Sequence, residues 1–165
     1  MRINITWGSH LPILNKVLNE TTGSVLELGT GLYSTPIMHW VCFPHKRKLV
    51  SYESNPTYAK MLNAYKDTFH EIHNIDEKDW DNIDIEKEWD VAFIDHAPDV
   101  RRGIEAKRLA NFAKYVVIHD SDTHNDPYYK YDEVYPLYKY RFDYRETVPN
   151  TTILSNFIDL TNFEL

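Results

Sequence analysis

The amino-acid sequence predicts a doubly wound α/β fold, with a mostly parallel sheet that ends in an antiparallel hairpin. Short apolar runs alternate with longer amphipathic segments between about residues 24 and 119, a pattern typical of parallel βα units. Two of those runs, 91–95 (VAFID) and 115–119 (YVVIH), are almost continuously apolar, as expected for central strands covered on both faces. Near the C-terminus, two further β-like runs are separated by a turn so short that they must be antiparallel.

The individual elements follow from local signals. Five parallel strands are predicted at 24–28, 49–53, 69–74, 91–95 and 115–119, and two hairpin strands at 141–148 and 151–160, joined by Pro149 and Asn150. Helices are predicted over about 10–20, 35–43, 55–67 and 98–113. Pro36, Pro56 and Pro98 stand where the last three helices should begin, because proline at the first helical position loses no intrahelical hydrogen bond. No helix or strand is predicted in the polar, tyrosine-rich segment 120–140.

Composition limits the class of protein. The 165 residues fit one domain, 1–165, without internal repeats or a low-complexity linker. The formal net charge is −7 and the basic residues are scattered, which argues against a duplex nucleic acid partner. Cys42 is the single cysteine, no run reaches the roughly 18 apolar residues of a membrane span, and the N-terminus lacks an apolar signal region. We therefore expect a cytoplasmic protein with no membrane partner.

A glycine-containing turn follows the first predicted strand, in VLELGTGLYSTP at residues 25–36. In open parallel sheets, ligands bind beyond the carboxyl ends of the strands. We expect Gly29 and Gly31 to let the backbone approach such a ligand, because they lack a Cβ atom. A dinucleotide motif would place a third glycine where Ser34 stands. Glu53 ends the second strand, where a carboxylate can accept hydrogen bonds from a ribose without identifying the cofactor.

The run ELGTGLYS, from Glu27 to Ser34, resembles the first motif of class I S-adenosylmethionine (SAM)-dependent methyltransferases, whose loop wraps the methionine part of the cofactor. The runs 89–98 (WDVAFIDHAP) and 114–122 (KYVVIHDSD) resemble the fourth and fifth strands of that family, so the likeness covers about 5–157. It implies a Rossmann-like seven-stranded sheet with a reversed final strand, and SAM as cofactor. The cofactor-binding residues that it implies are Glu27, Gly29, Thr30, Gly31, Ser34, Thr35, Glu53, Ser54 and Asp95, with Asp79 and Trp80, or Asp76, at the adenine.

Methyl transfer to a hydroxyl requires the enzyme to align the acceptor and to remove its proton. The predicted catalytic residues, at the ends of adjacent strands, are Asp95, His96, His119 and Asp120. Histidine suits the role of base because its pKa lies near neutrality, although a histidine at a strand end can also be a hydrogen-bonded wall. Short likenesses to catechol-type and glucuronoxylan O-methyltransferases favour O-methylation of a small molecule or a sugar.

Several alternatives stay open. Asp95, Asp120, Asp122 and His124 offer metal ligands, but Ser121 stands where catechol-type enzymes have an asparagine ligand, so no metal is predicted. Trp7, Ser9 and His10 either fold over the cofactor or simply pack. Arg101 and Arg102 are interpreted as a solvated helix face, with binding of an anionic acceptor as the alternative. A non-catalytic SAM-binding module, an NAD-dependent oxidoreductase and a metal hydrolase at His119 and Asp120 are the rival functions. We expect no separate substrate domain, so a large acceptor would dock on an open edge or across a homodimer.

Overall fold

A computed structural model describes residues 5–165; the first four residues of the predicted domain lie outside this range. The sheet has seven strands in the order β3-β2-β1-β4-β5-β7-β6. They are β1 (Val25–Leu28), β2 (Leu49–Glu53), β3 (His70–Asn74), β4 (Trp89–Ile94), β5 (Ala113–His119), β6 (Tyr140–Tyr144) and β7 (Thr151–Ser155). The first five strands are parallel, and β7 pairs antiparallel with both β5 and β6. The predicted fold class is confirmed.

Six α-helices, with short 3₁₀ turns, complete the described chain. They are α1 (Leu11–Asn19), α2 (Ser34–Cys42), α3 (Pro56–Leu62), α4 (Arg102–Leu109), α5 (Asp126–Tyr129) and α6 (Tyr131–Val134). No helix within residues 5–165 has the length and apolar character needed to cross a lipid bilayer.

Helices cover both faces of the sheet, because successive residues of a strand point to opposite sides. In β1, Val25 belongs to the core that α1 and α2 complete, whereas Leu26 belongs to the core under α4 and α6. All residues of β1 and β4 are buried, which the continuous apolar run predicted for β4. This two-sided burial places β1 and β4 in the middle of the sheet and leaves their carboxyl ends at one common edge.

The three prolines predicted at helix starts take different positions. Pro56 is the first residue of α3, as predicted, and the side chain of Asn55 caps this helix by accepting a 2.9 Å hydrogen bond from the Thr57 N–H. Pro36 is the third residue of α2. Even a residue with a backbone N–H would have no intrahelical partner for it at this position, so proline costs the helix no hydrogen bond. The prediction for Pro98 is wrong: this residue is extended with ψ of 130°, and α4 begins only at Arg102, after a 3₁₀ turn.

The C-terminal part departs most from the sequence prediction. Both α5 and α6 lie in the segment 120–140 for which no helix was predicted, since four-residue helices are too short to show a period. Packing stabilises them, because Tyr131 is fully buried in the core under α4. The strand predicted over 151–160 ends at Ser155, whose Oγ accepts hydrogen bonds from the N–H groups of Phe157 and Ile158 and turns the chain. Strand β6 ends at Tyr144, well before its predicted end.

Candidate active site

A cavity of about 200 Å³ lies at the carboxyl ends of β1, β2 and β4. Its walls come from the loops that follow these strands and from the segment before α1. The lining residues are Trp7, His10, Thr30, Gly31, Leu32, Tyr33, Ser34, Glu53, Asn55, Tyr58, Asp95, His96 and Ala97. We call it the loop cavity, since the glycine-containing loop after β1 forms one side. The cavity lies where a doubly wound sheet binds its ligands.

The two glycines of this loop have different physical roles. Gly29 has a φ of +92°, and a Cβ atom there would lie 2.5 Å from the Cα of His96 and 2.6 Å from the carbonyl oxygen of Asp95. Gly29 therefore permits a positive φ and close packing of the loop against the end of β4, and its approach to a ligand stays a prediction. Gly31 does line the loop cavity, and the nearest described atom to an added Cβ would be the Oγ of Ser34, at 3.0 Å.

The carboxylate of Glu53 holds the loop in place. Its Oε2 accepts hydrogen bonds from the N–H of Thr30 at 2.7 Å and from the hydroxyl of Thr30 at 2.9 Å, and its Oε1 accepts one from the N–H of Asn55 at 2.6 Å. Glu53 is buried yet lines the loop cavity. The end of β2 and the turn after β1 are thus one hydrogen-bonded unit facing the same space.

A second cavity, of about 360 Å³, adjoins the first at the ends of β4 and β5. It is lined by Thr6, Trp7, Asp95, Arg102, His119, Asp120 and Pro149, and we call it the polar cavity. Trp7 and Asp95 line both cavities. The two spaces therefore meet at the side chains of these two residues.

Arg102 organises the charges of the polar cavity. Its guanidinium lies 2.9 Å from Oδ1 of Asp95 and 2.6 Å from Oδ2 of Asp120, and its Nε donates a 3.0 Å hydrogen bond to the carbonyl of His96. The side chain is buried, so the interpretation of Arg102 as part of a solvated face is wrong. Burial opposes the charge of Arg102, but the neighbouring carboxylates outweigh it and raise the pKa of the guanidinium.

His119 and Asp95 form a second contact in this cluster. Nδ1 of His119 lies 3.2 Å from Oδ2 of Asp95, and Nε2 of His119 lies 2.8 Å from the hydroxyl oxygen of Ser9. Burial lowers the pKa of His119, but Asp95 more than offsets this and the net shift is upward. Loss of water raises the pKa of Asp95, yet His119 and Arg102 together bring it below its ordinary value. Asp95 is therefore a carboxylate at neutral pH.

Several solved structures have a similar architecture. A putative O-methyltransferase from Klebsiella pneumoniae superposes with a TM-score of 0.68 at 15% identity, over 94% of this chain and 82% of that one. The O-methyltransferase from Bacillus cereus in complex with SAH gives 0.66 at 13% identity, over 93% and 82%. TomG from Streptomyces achromogenes, an O-methyltransferase in complex with SAM, gives 0.68 at 14%, over 93% and 81%. No protein-family model matches the chain, and no curated protein matches it by sequence.

The chain has the class I methyltransferase fold. At these identities the likeness concerns the fold alone and assigns no role to the residues at the carboxyl ends of the strands. The resemblance of residues 27–34, 89–98 and 114–122 to that fold is thereby confirmed.

Within this methyltransferase fold, two of the predicted cofactor residues lie beneath the loop. Glu27 is fully buried and accepts hydrogen bonds from the hydroxyls of Thr35 at 2.8 Å and Ser51 at 2.6 Å. Burial raises the pKa of Glu27 to about 7, although hydrogen bonds from nearby hydroxyls lower it. Thr35 is also fully buried, and its Oγ1 accepts a 3.0 Å hydrogen bond from the N–H of Gly31. Neither residue lines the loop cavity, so they support the loop rather than the ligand.

The residues predicted to contact adenine do not line the loop cavity. Trp80 is fully buried in the core, and its Nε1–H donates a 3.1 Å hydrogen bond to the carbonyl of Ala97. The adenine contacts predicted for the segment after β3 receive no support from the cavity walls and stay a prediction, since Asp76, Asp79, Ser54 and Trp80 are not among the described residues that line the loop cavity. Asn55 and Tyr58 line it instead. Sequence reasoning missed both, although Asn55 caps α3 and Tyr58 lies in its first turn, close to Glu53 in the sequence.

His96 takes a different orientation from the one predicted. It borders the loop cavity, but its Nε2 lies 3.2 Å from Oε2 of the buried Glu105 on α4, and its ring packs 4.2 Å from that of Trp80. Burial lowers the pKa of His96, against the effect of Glu105. The imidazole thus joins β4 to α4, and the catalytic role predicted for it is not supported by these contacts.

The metal ligands considered from sequence do not converge. Arg102 bridges Asp95 and Asp120, and Oδ2 of Asp122 accepts a hydrogen bond from the N–H of Asn150 at 3.1 Å. The group of three ligating side chains found within residues 5–165 contains neither Asp120, Asp122 nor His124. It consists of His10, Asp95 and His119. The sequence analysis does not include His10 among the metal ligands.

Proposed function

We propose that this chain is a SAM-dependent methyltransferase that methylates an oxygen atom of a small-molecule or sugar acceptor. The observation that carries the proposal is the junction of two cavities at Asp95 and Trp7. One cavity is bounded by the glycine-containing loop and a strand-end carboxylate, and the other by charged and polar side chains. A donor and an acceptor that occupy them would meet at Asp95.

The loop cavity has the features that this cofactor needs. Gly31 exposes backbone toward the cavity, where a larger side chain would fill the space beside Ser34. Glu53 is available to accept hydrogen bonds from ribose hydroxyls, in addition to those from Thr30. Asn55 and Tyr58 are the residues that an adenine would contact. When bound, SAM supplies a methyl group on a positively charged sulfur, and the bacterial neighbours in complex with SAH or SAM support this choice.

The polar cavity suits a hydroxylated acceptor. Asp95 offers a carboxylate that can accept a hydrogen bond from the acceptor hydroxyl, and His119 and Asp120 lie beside it. The indole of Trp7 is 46% exposed and gives the rim a flat apolar face. In-line transfer depends on holding the two reacting atoms close and aligned, which a rigid strand end achieves better than a loop. Arg102 supplies that rigidity, because it ties the residues after β4 and β5 together.

Ligand-induced stabilisation tests the cofactor. Thermal unfolding is measured with SAM, SAH and NAD in parallel, and a ligand at 100 times its Kd should add about 2.7 kcal/mol to the free energy of unfolding. We expect a shift with SAM and SAH and none with NAD. Glu53→Gln should remove most of it, whereas Glu71→Gln, which alters an exposed carboxylate on β3, should not. A shift with NAD alone would overturn the proposal and favour an oxidoreductase.

Turnover distinguishes an enzyme from a binding module. Release of SAH is followed with a panel of phenols, sugars and sugar acids as acceptors. Asp95→Asn should lose most of the turnover, because its carboxylate would accept the hydrogen bond from the acceptor hydroxyl, and the thermal shift with SAM shows whether the variant still binds the cofactor. A chain that binds SAM but methylates no member of the panel would be a sensor or a partner subunit.

A further inference from the structure

We propose that His10, Asp95 and His119 bind one divalent transition-metal ion at the junction of the two cavities. One ligand atom from each of these three side chains lies within 4.8 Å of the other two. His10 lines the loop cavity, His119 lines the polar cavity and Asp95 lines both. The residues come from the segment before α1 and from the ends of β4 and β5, so the site exists only in the folded chain.

His10 is the first reason for the proposal. Its side chain is 2% exposed, and neither ring nitrogen has a hydrogen-bond partner within residues 5–165. A buried polar group without a partner costs free energy, and native structures contain few of them. The ring packs 4.7 Å from Phe93 and 4.8 Å, edge-on, from His119. A ligand in the space beside it would satisfy a nitrogen that this chain leaves unpaired.

The hydrogen bonding of His119 is the second reason. Its Nε2 lies 2.8 Å from the hydroxyl oxygen of Ser9, and in the tautomer in which Nε2–H donates to that hydroxyl, Nδ1 keeps a lone pair. That Nδ1 lies 3.2 Å from Oδ2 of Asp95 but forms no hydrogen bond within the described chain. In that tautomer two electron-rich atoms face each other, and a metal ion beside them would bind both. A hydrogen bond from the far nitrogen is also the usual support of a metal-bound histidine.

Charge and ligand type indicate which ions fit. Arg102 pairs with Oδ1 of Asp95 and with Asp120, so two carboxylates share one guanidinium. Oδ2 of Asp95 remains for the ion. Two imidazoles with one carboxylate favour zinc, cobalt, nickel, iron or manganese, whereas magnesium and calcium prefer all-oxygen sites. In the proposed methyl transfer, on which this last role rests, such an ion would hold the acceptor oxygen and lower the pKa of its hydroxyl.

Cobalt(II) is the probe that tests the site. The full chain, freed of metal with a chelator, is titrated with Co²⁺ in the absence of SAM while visible absorption is recorded. We expect one equivalent to bind with a ligand-field band, Zn²⁺ to displace it, and Mg²⁺ in large excess to leave it in place. Absence of the band in the wild-type chain would overturn the proposal, as would displacement by Mg²⁺ at the concentration at which Zn²⁺ displaces the cobalt.

Variants assign the ligands. His10→Ala should weaken Co²⁺ binding at least tenfold, whereas His10→Cys keeps a ligand and should add a thiolate-to-cobalt charge-transfer band. His39→Ala is the matched control, because His39 is a buried histidine 3.1 Å from His70 and outside both cavities. Unchanged binding in both His10 variants, or an equal loss in His39→Ala, would refute the site. Since SAM is absent throughout, a negative result leaves the proposed methyl transfer untouched, and failure of SAM binding leaves the metal site standing.

Discussion

The guanidinium of Arg102 lies 2.9 Å from the carboxylate of Asp95, and this contact couples the first turn of α4 to the edge where β4 ends. The same guanidinium reaches Asp120 at 2.6 Å, beyond the end of β5. Asp120 has a φ of +54°, an uncommon conformation for a residue other than glycine. The ion pairs of Arg102 with Asp95 and Asp120 therefore stabilise the backbone after β4 and β5, which forms a wall of the polar cavity.

Removal of Arg102 should therefore destabilise the chain strongly. Arg102→Met leaves two neighbouring carboxylates without their shared cation, and we expect a loss of about 3–5 kcal/mol in the free energy of unfolding. Arg102→Lys keeps the positive charge and should recover part of this stability. The recovery should be incomplete, because a single ammonium cannot bridge both carboxylates as a guanidinium does. Urea denaturation measures the effect. Arg145→Met, at an exposed arginine that contacts Asp143, should cost less than about 1 kcal/mol.

Glu27 should make the stability depend on pH. Its pKa is raised from 4.5 to about 7 in the folded chain. Between these values the folded state keeps a proton that the unfolded state has lost, so this residue's contribution to stability falls as pH rises from about 4.5 to about 7, and is constant above. Glu27→Gln removes this dependence. The stability of the wild type relative to the variant should fall by about 3 kcal/mol across that window.

Denaturation midpoints at a series of pH values measure this difference. The comparison with the variant matters because other buried groups, such as His70, titrate in the same range with the opposite sign. Glu77→Gln changes an exposed carboxylate and should give a curve parallel to that of the wild type. A constant difference between wild type and Glu27→Gln would contradict the prediction.

The two glycines should separate folding from binding. Gly29→Ala places a Cβ against the backbone of His96 at a φ of +92°, so we expect a loss of at least about 2 kcal/mol in stability. Gly31→Ala brings its Cβ no closer than 3.0 Å to the flexible hydroxyl of Ser34, and should change stability by less than about 1 kcal/mol. Because Gly31 lines the loop cavity, its substitution should instead weaken SAM binding, measured by calorimetry.

The adenine contact can be assigned by a matched set of variants. Tyr58→Ala should weaken SAM binding about tenfold or more, since Tyr58 lines the loop cavity. Asp79→Ala should leave the Kd unchanged, because Asp79 lies outside that cavity. Trp80→Phe should lower stability by about 1–3 kcal/mol through loss of its hydrogen bond and packing, without altering the Kd. A loss of SAM affinity in Asp79→Ala would restore the adenine site predicted from sequence.

Local patterns in the sequence were sufficient for the strands and for part of the site. Strand β2 has the predicted bounds, Leu49–Glu53, because an apolar run followed by Glu-Ser-Asn-Pro marks both its burial and its end. Gly31 and Glu53 face the loop cavity as expected for residues that follow neighbouring parallel strands. The short helices α5 and α6 escaped prediction, since their stability comes from the burial of tyrosines against α4 rather than from a repeating pattern.

The sequence by itself determined that the first five strands run parallel and at which edge of the sheet a ligand site is expected, because alternating apolar and amphipathic runs allow few other arrangements. Only the tertiary structure decided where each side chain at that edge points. His96 turns to Glu105 on α4, and His10 reaches His119 from the other end of the chain. The reason is physical: strand propensity is a property of neighbouring residues, whereas the direction of a buried side chain depends on which distant residues surround it in the folded chain.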